Sequence, residues 1–249
     1  MILCITGMHR SGTSLTASWL QDAGLVIDNG VQIAPANGNP KGHFEDAEFV
    51  QLHEGVLRSR FPSSKGWIAF CETQHFEGTS LFRAKEMITQ RNSKFCVWGW
   101  KDPRTVLFLE QWKELIPDLR VLLLWRPYRN VVDSLIRRSK RSSFDVLRIS
   151  MMQASRLWIS YNRHVLAYRQ NHPKDSILVQ LEAVLLKDQE VFEMITSRLE
   201  IPLSYSPIQE LVDNSLITLR GPRSTQLWCR IMSDRGVEAR LRNSSDLLA

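Results

Sequence analysis

The opening stretch MILCITGMHRSGTSL constrains what this chain can fold into more than any other part of it. An apolar run at residues 2–6 reads as a buried strand, and Gly7 and Gly12 then bracket a short polar turn. Beyond the turn, Leu15, Trp19, Leu20 and Ala23 recur at helical spacing, with Gly24 as the stop. A strand, a glycine-bearing turn and a helix start together build an anion site. The turn amides point inward, and the helix dipole adds partial positive charge. Gly7 and Gly12 allow the tight turn and a close approach of backbone to ligand. Ser11, Thr13 and Ser14 offer hydroxyls, and Arg10 is the only cation inside the turn. A Walker loop, G-x-x-x-x-G-K-[ST], has the same glycine spacing but needs a lysine where Thr13 stands.

The remaining apolar runs predict parallel strands at residues 95–100, 119–125 and 176–181. Between them lie helical patterns. Val131, Val132, Leu135 and Ile136 follow Pro127, a residue suited to a first helical position, and further helices are predicted over 144–168 and 189–199. Strands alternating with helices predict an α/β fold with three layers around a central parallel sheet. With 249 residues, 43% of them hydrophobic, the chain is read as a single domain over 1–249. Residues 31–93, rich in Gly, Pro, Asn and aromatics, form a substrate-side insertion or lid. No run of about 18 apolar residues is present to span a membrane. Cys4, Cys71, Cys96 and Cys229 show no C-x-x-C pairing, and residues 1–7 carry no secretory signature, so reduced thiols and a cytoplasmic location are expected. The histidines lack metal-ligand spacing.

The run VLLLW ends in Arg126. In ATP and GTP enzymes an Asp at the end of such a strand holds magnesium; an arginine suits a phosphate oxyanion instead. Ser134 follows eight residues later, so a second anion site is implied at Arg126 and Ser134. The net charge is +6, and basic residues concentrate between Arg120 and Arg148, including Arg137, Arg138, Lys140 and Arg141. That run reads as a solvated helix face or as attraction for a small polyanion. It lacks the aromatic interleaving of single-strand binders, which puts nucleic acid behind a small anion.

In these residues the chain resembles the PAPS-dependent sulfotransferases, which share a P-loop-like fold and use 3′-phosphoadenosine 5′-phosphosulfate (PAPS). GMHRSGTS is similar to their 5′-phosphosulfate loop, and WRPYRNVVDS is similar to their 3′-phosphate signature in residue type and spacing. WGWKDPRTVLFLEQWKELIPDLR and ILVQLEAVLLKDQEVFEMI resemble connecting segments of the bacterial and carbohydrate-type members, with Glu182 in the place of an E-x-L acid; the likeness covers roughly residues 1–202. The resemblance implies metal-independent, in-line sulfuryl transfer to a hydroxyl, less readily an amine, of a small-molecule, glycan or lipid acceptor, leaving PAP. Arg10, Ser11, Gly12, Thr13, Ser14, Arg126 and Ser134 would bind the donor; Arg10, Glu45 and Lys101 would be catalytic. One departure stands out. The histidine that cytosolic members carry two residues after their catalytic lysine is Pro103 here. The base is then sought in GHFED: Glu45 first, with Asp46 and His43 as alternatives. Asp102 and Arg104 read as architectural, and Arg220 and Gly221 are a weak match to a C-terminal 3′-phosphate segment. Trp67, Trp98 and Trp100 read as core, Trp67 being the best placed for acceptor contact. The rival readings are a divergent magnesium-dependent kinase and a basic RNA-binding module.

Overall fold

The computed structural model describes residues 1–27, 44–70, 72–141, 144–211 and 235–248. His43, Cys71, Arg220, Gly221, Cys229 and the first part of the predicted insertion lie outside the described residues. Four strands, β1 (Ile2–Gly7), β2 (Trp98–Lys101), β3 (Arg120–Trp125) and β4 (Ser176–Gln180), form one parallel sheet in the order β2-β1-β3-β4. The expected strands are all present. The second is shorter than expected, because only Trp98–Lys101 pairs with Ile2–Ile5; Cys96 therefore lies before the strand and is exposed.

Alternation along the strands divides the core into two halves. Leu3, Ile5, Leu122, Leu124, Ile177 and Val179 face one way, onto α1 (Thr13–Asp22), α7 (Leu181–Leu186) and α8 (Asp188–Arg198) through Trp19, Leu20, Val184, Phe192 and Ile195. Ile2, Cys4, Val121, Leu123, Trp125 and Leu178 face the other way. They meet α2 (Ala47–Arg60), α4 (Leu109–Leu115), α5 (Tyr128–Arg141), α6 (Met151–Asn171) and α9 (Arg235–Ser244). The result is a three-layer α/β fold with both faces of the parallel sheet covered, as such sheets require. Helix α6 starts later than residue 144 because Ser150 and Gln153 close a capping box there, Ser150 Oγ accepting from Gln153 N at 3.2 Å.

The described part of the predicted insertion enters this core. Phe49 of α2 stacks on Trp100 at 4.5 Å between ring centroids, and Ala84 and Met87 of α3 (Gly78–Lys94) are buried. Asp46 is the N-cap of α2, accepting from Glu48 N at 2.9 Å, and forms a buried ion pair with Arg91. Deeper in, Asp102 accepts from Arg104 Nη1 at 2.9 Å and from His53 Nδ1 at 2.8 Å. Trp112 Nε1 donates to His53 Nε2 at 2.9 Å, so Nε2 is the acceptor and the ring proton sits on Nδ1, facing the carboxylate. Burial works against the Asp102 charge, but Arg104 and His53 outweigh it and hold its carboxyl well below the usual range.

Each edge of the sheet also carries one isolated bridge. Val26 bridges to Trp98 beyond β2, and Leu247 bridges to Val179 beyond β4. Asp246 ties that end down, accepting from Leu178 N at 2.8 Å and from Arg169 Nη2 at 2.9 Å.

His9 packs into the same interior, 5.2 Å from the Trp67 ring and 5.5 Å from Tyr161. Burial first, then the charges of Arg104 and Arg138, push its imidazole well below the ordinary 6.5; Asp102 opposes them and Lys101 adds to them. The unfolded chain therefore binds a proton at His9 that the native state refuses, and stability is lost as pH falls below the unfolded value. Thermal unfolding at about pH 7.5 and about pH 5.5 should show a drop that shrinks in His9→Gln, and an unchanged drop would remove His9 from the account.

Candidate functional site

The strand order places β1 beside β3, so the loops leaving their carboxyl ends emerge side by side. This is where open α/β sheets bind ligands. Gly7 pairs with Leu124 in register, and a Cβ on Gly7 would stand 2.0 Å from the Leu124 carbonyl oxygen. Gly12 has φ +86°, and its Cβ would meet Leu181 Cδ1 at 2.2 Å, so the loop is wedged between β3 and α7. Arg10 itself holds a left-handed φ of 71°, a strain on the order of 1 kcal/mol that concentrates at functional turns. Helix α1 starts on Gly12 with no side-chain cap and no acidic residue in its first turn. The Ser11 hydroxyl is buried with no hydrogen-bond partner among the described residues. Unspent amides and an orphaned hydroxyl at a helix N-terminus fit a phosphate-like anion. Thr13 and Ser14 supply the first two residues of that helix.

Arg126 follows β3 directly. Its carbonyl accepts from Trp158 Nε1 at 3.1 Å, which fixes the backbone, and Glu182 Oε1 lies 3.8 Å from its Nε. Asn130 Nδ2 donates to the same Glu182 oxygen at 3.4 Å, so that acid spans the first turns of α5 and α7. Burial lowers the Arg126 pKa, with Glu182 opposing. Ser134, on α5, accepts from Arg10 Nε at 2.9 Å. The two anion sites expected separately from the sequence are thus joined through one hydrogen bond. Burial, then Arg126 and Arg137, push the Arg10 pKa down to about 10, so the guanidinium is charged at neutral pH but costly to keep so.

Lys101, the last residue of β2, donates to Glu45 Oε1 at 2.6 Å. Burial lowers the lysine's pKa despite that partner. Asp46, by contrast, is turned to its helix cap and to Arg91, and Asp102 is paired with Arg104 rather than with Lys101. Trp98 and Trp100 are core side chains, whereas Trp67 reaches the loop through His9.

Sequence reasoning named Arg138 only within a basic run, read as a solvated face or as attraction for a small polyanion, and did not single it out as a site residue. Its neighbour Arg137 pairs with Asp133 at 3.1 Å, and Lys140 and Arg141 are exposed. Arg138 instead lies 4.7 Å above the Trp67 ring. The signal was its offset of four residues from Ser134, which puts both on one face of α5. Among the described residues no group of His, Cys, Asp and Glu side chains could hold a metal ion, and no helix is long and apolar enough to cross a membrane.

No family model and no curated protein matches this chain. Solved structures do. A sulfotransferase from Alicyclobacillus acidocaldarius superposes with a TM-score of 0.60 at 12% identity, covering 98% of this chain and 96% of that one. The sulfotransferase domain of the Synechococcus PCC 7002 olefin synthase gives 0.52 at 14% identity, over 100% and 95% of the two chains. The sulfotransferase domain from the curacin biosynthetic pathway gives 0.51 at 13% identity, over 93% and 96%. At such identities the likeness is one of architecture, and along nearly its whole length this chain has the fold of bacterial sulfotransferases.

Proposed function

We propose that this protein is a sulfotransferase that moves a sulfuryl group from PAPS to a hydroxyl of a small-molecule, glycan or lipid acceptor. The observation that carries the reading is the hydrogen bond from Arg10 to Ser134. It unites an uncapped helix N-terminus after β1 with a buried arginine after β3, which is what a donor with phosphate groups at both ends of its ribose needs. Arg126 and Ser134 hold the 3′-phosphate. Ser11, Thr13, Ser14 and the amides about Gly12 hold the 5′-phosphosulfate. The free thiols of Cys4 and Cys96 suit a reducing, cytoplasmic setting.

PAPS supplies the sulfuryl group on its phosphosulfate bond. As the S–O bond to phosphate breaks, Arg10 and the loop amides stabilise the negative charge left on the phosphate. The acceptor oxygen forms the new S–O bond and gives its proton to Glu45. Lys101 holds Glu45 by Oε1 and leaves Oε2 for that proton, so the ion pair orients the base.

Calorimetric titration with PAP, with ATP and with adenosine 5′-phosphate, each with and without magnesium, tests the donor. PAP should bind without metal and more tightly than the nucleotide lacking the 3′-phosphate; binding of ATP alone, and only with magnesium, would replace this reading with a kinase. In Arg126→Ala the Kd for PAP should rise about 10- to 100-fold, the worth of a hydrogen bond to a charged group, and an unchanged Kd would sink the assignment. Arg10→Ala should slow PAPS consumption about 100-fold or more while changing PAP affinity much less. Equal losses in both would deny Arg10 a role specific to the transition state.

A further inference from the structure

Arg138 lies where the proposed chemistry would take place. Ser134 binds Arg10, and Arg138 is one helical turn further along the same face of α5. Its guanidinium covers Trp67, whose position is pinned on three sides: Trp67 Nε1 donates to the Val146 carbonyl at 2.9 Å, its own carbonyl accepts from Tyr161 Oη at 2.9 Å, and His9 meets its ring edge-on. The aromatic face is therefore a fixed platform that presents a cation. The buried Nε of Arg138 has no hydrogen-bond partner among the described residues, and none of their carboxylates stands within ion-pair distance. The charges that act on Arg138 are Arg10 and Arg104, which oppose its own, and Glu45, which favours it. Its charge is thus felt both by the arginine assigned to the leaving phosphate and by the carboxylate assigned to the acceptor proton. The transferring group must pass between those two.

We propose that Arg138 is a second cation of the transfer site, binding an oxygen of the donor's sulfuryl group from the platform of Trp67. The inference rests on the sulfotransferase reading and adds to it a residue for the group being moved. A planar guanidinium on a fixed ring offers forked donors to a tetrahedral oxyanion at little entropic cost. Burial, then Arg10 and Arg104, push the Arg138 pKa down to about 9, so an incoming anion would relieve a charge that the fold leaves poorly compensated. The arrangement also separates the two arginines by task. Arg10 bonds to the α5 hydroxyl and works at the phosphate, whereas the Nε of Arg138 has no hydrogen-bond partner among the described residues.

Titration of wild-type protein, Arg138→Gln and Arg138→Lys with PAP and with PAPS decides the matter without an acceptor, because the two nucleotides differ by the sulfuryl group alone. Arg138→Gln should bind PAP within about twofold of wild type and PAPS about 10-fold more weakly, with Arg138→Lys between them. Inorganic sulfate added to the PAP complex should bind wild type and fail to bind Arg138→Gln. If PAP and PAPS weaken together, Arg138 serves the phosphates or the packing. If neither weakens and only sulfate binding is lost, it recognises an anionic acceptor; if nothing changes, it touches no anion. Each of these results overturns the proposal. Wild-type protein that binds neither nucleotide overturns the donor reading, and the role of Arg138 with it.

Discussion

The site depends on how closely β1 and β3 approach at their carboxyl ends. Leu124 leaves no room for a side chain at residue 7, so glycine is the only residue that lets the strands stay paired up to the start of the loop. From that contact the rest follows in order. The loop turns over the end of β3, Arg10 takes a left-handed conformation, and its guanidinium meets Ser134 on the helix that β3 feeds. A looser approach would part the loop after β1 from the helix after β3. Here one hydrogen bond joins them.

A second set of interactions supports the opposite wall. Asp102 follows directly on Lys101, and its carboxylate is spent on Arg104 and His53. Arg104 in turn reaches the Gly66 carbonyl at 2.9 Å and Glu54 at 2.5 Å, tying the segment before Trp67 to the end of β2. This buried polar network touches none of the residues assigned to the donor phosphates, yet it sets where Lys101, Glu45 and Trp67 stand relative to one another. Such networks rigidify a site when every member is satisfied.

How much of this was readable beforehand varied with the range of the physics involved. The strands and the glycine loop rest on local signals, namely apolar runs, turn residues and helical spacing, and they lie within a few residues of where those signals put them. Arg126 and Ser134 could be read from spacing as a pair, because one stands at a strand end and the other on the helix that follows it. The pairing of Glu45 with Lys101 was not readable, since 56 residues separate them and only the folded insertion brings them together. The insertion itself was read from its composition as a lid, although Phe49, Leu57 and Met87 are as buried as any strand residue. Arg138 was hidden by its neighbours: the run could be read as a solvated face or as attraction for a small polyanion, but the turn geometry that selects Arg138 from Arg137, Lys140 and Arg141 is a property of α5 rather than of composition.

The bridges at the two edges of the sheet bear on how this protein can meet others. Val26 and Leu247 occupy the two positions where an extended segment of another chain could add a strand. Each bridge is a partial closure, at Trp98 on one edge strand and at Val179 on the other, and shortens the backbone open to pairing there. Asp246, held by Arg169 and Arg198, keeps one of those closures in place. A few residues far from the chemistry thus shorten the stretch of sheet edge that a second copy could pair with.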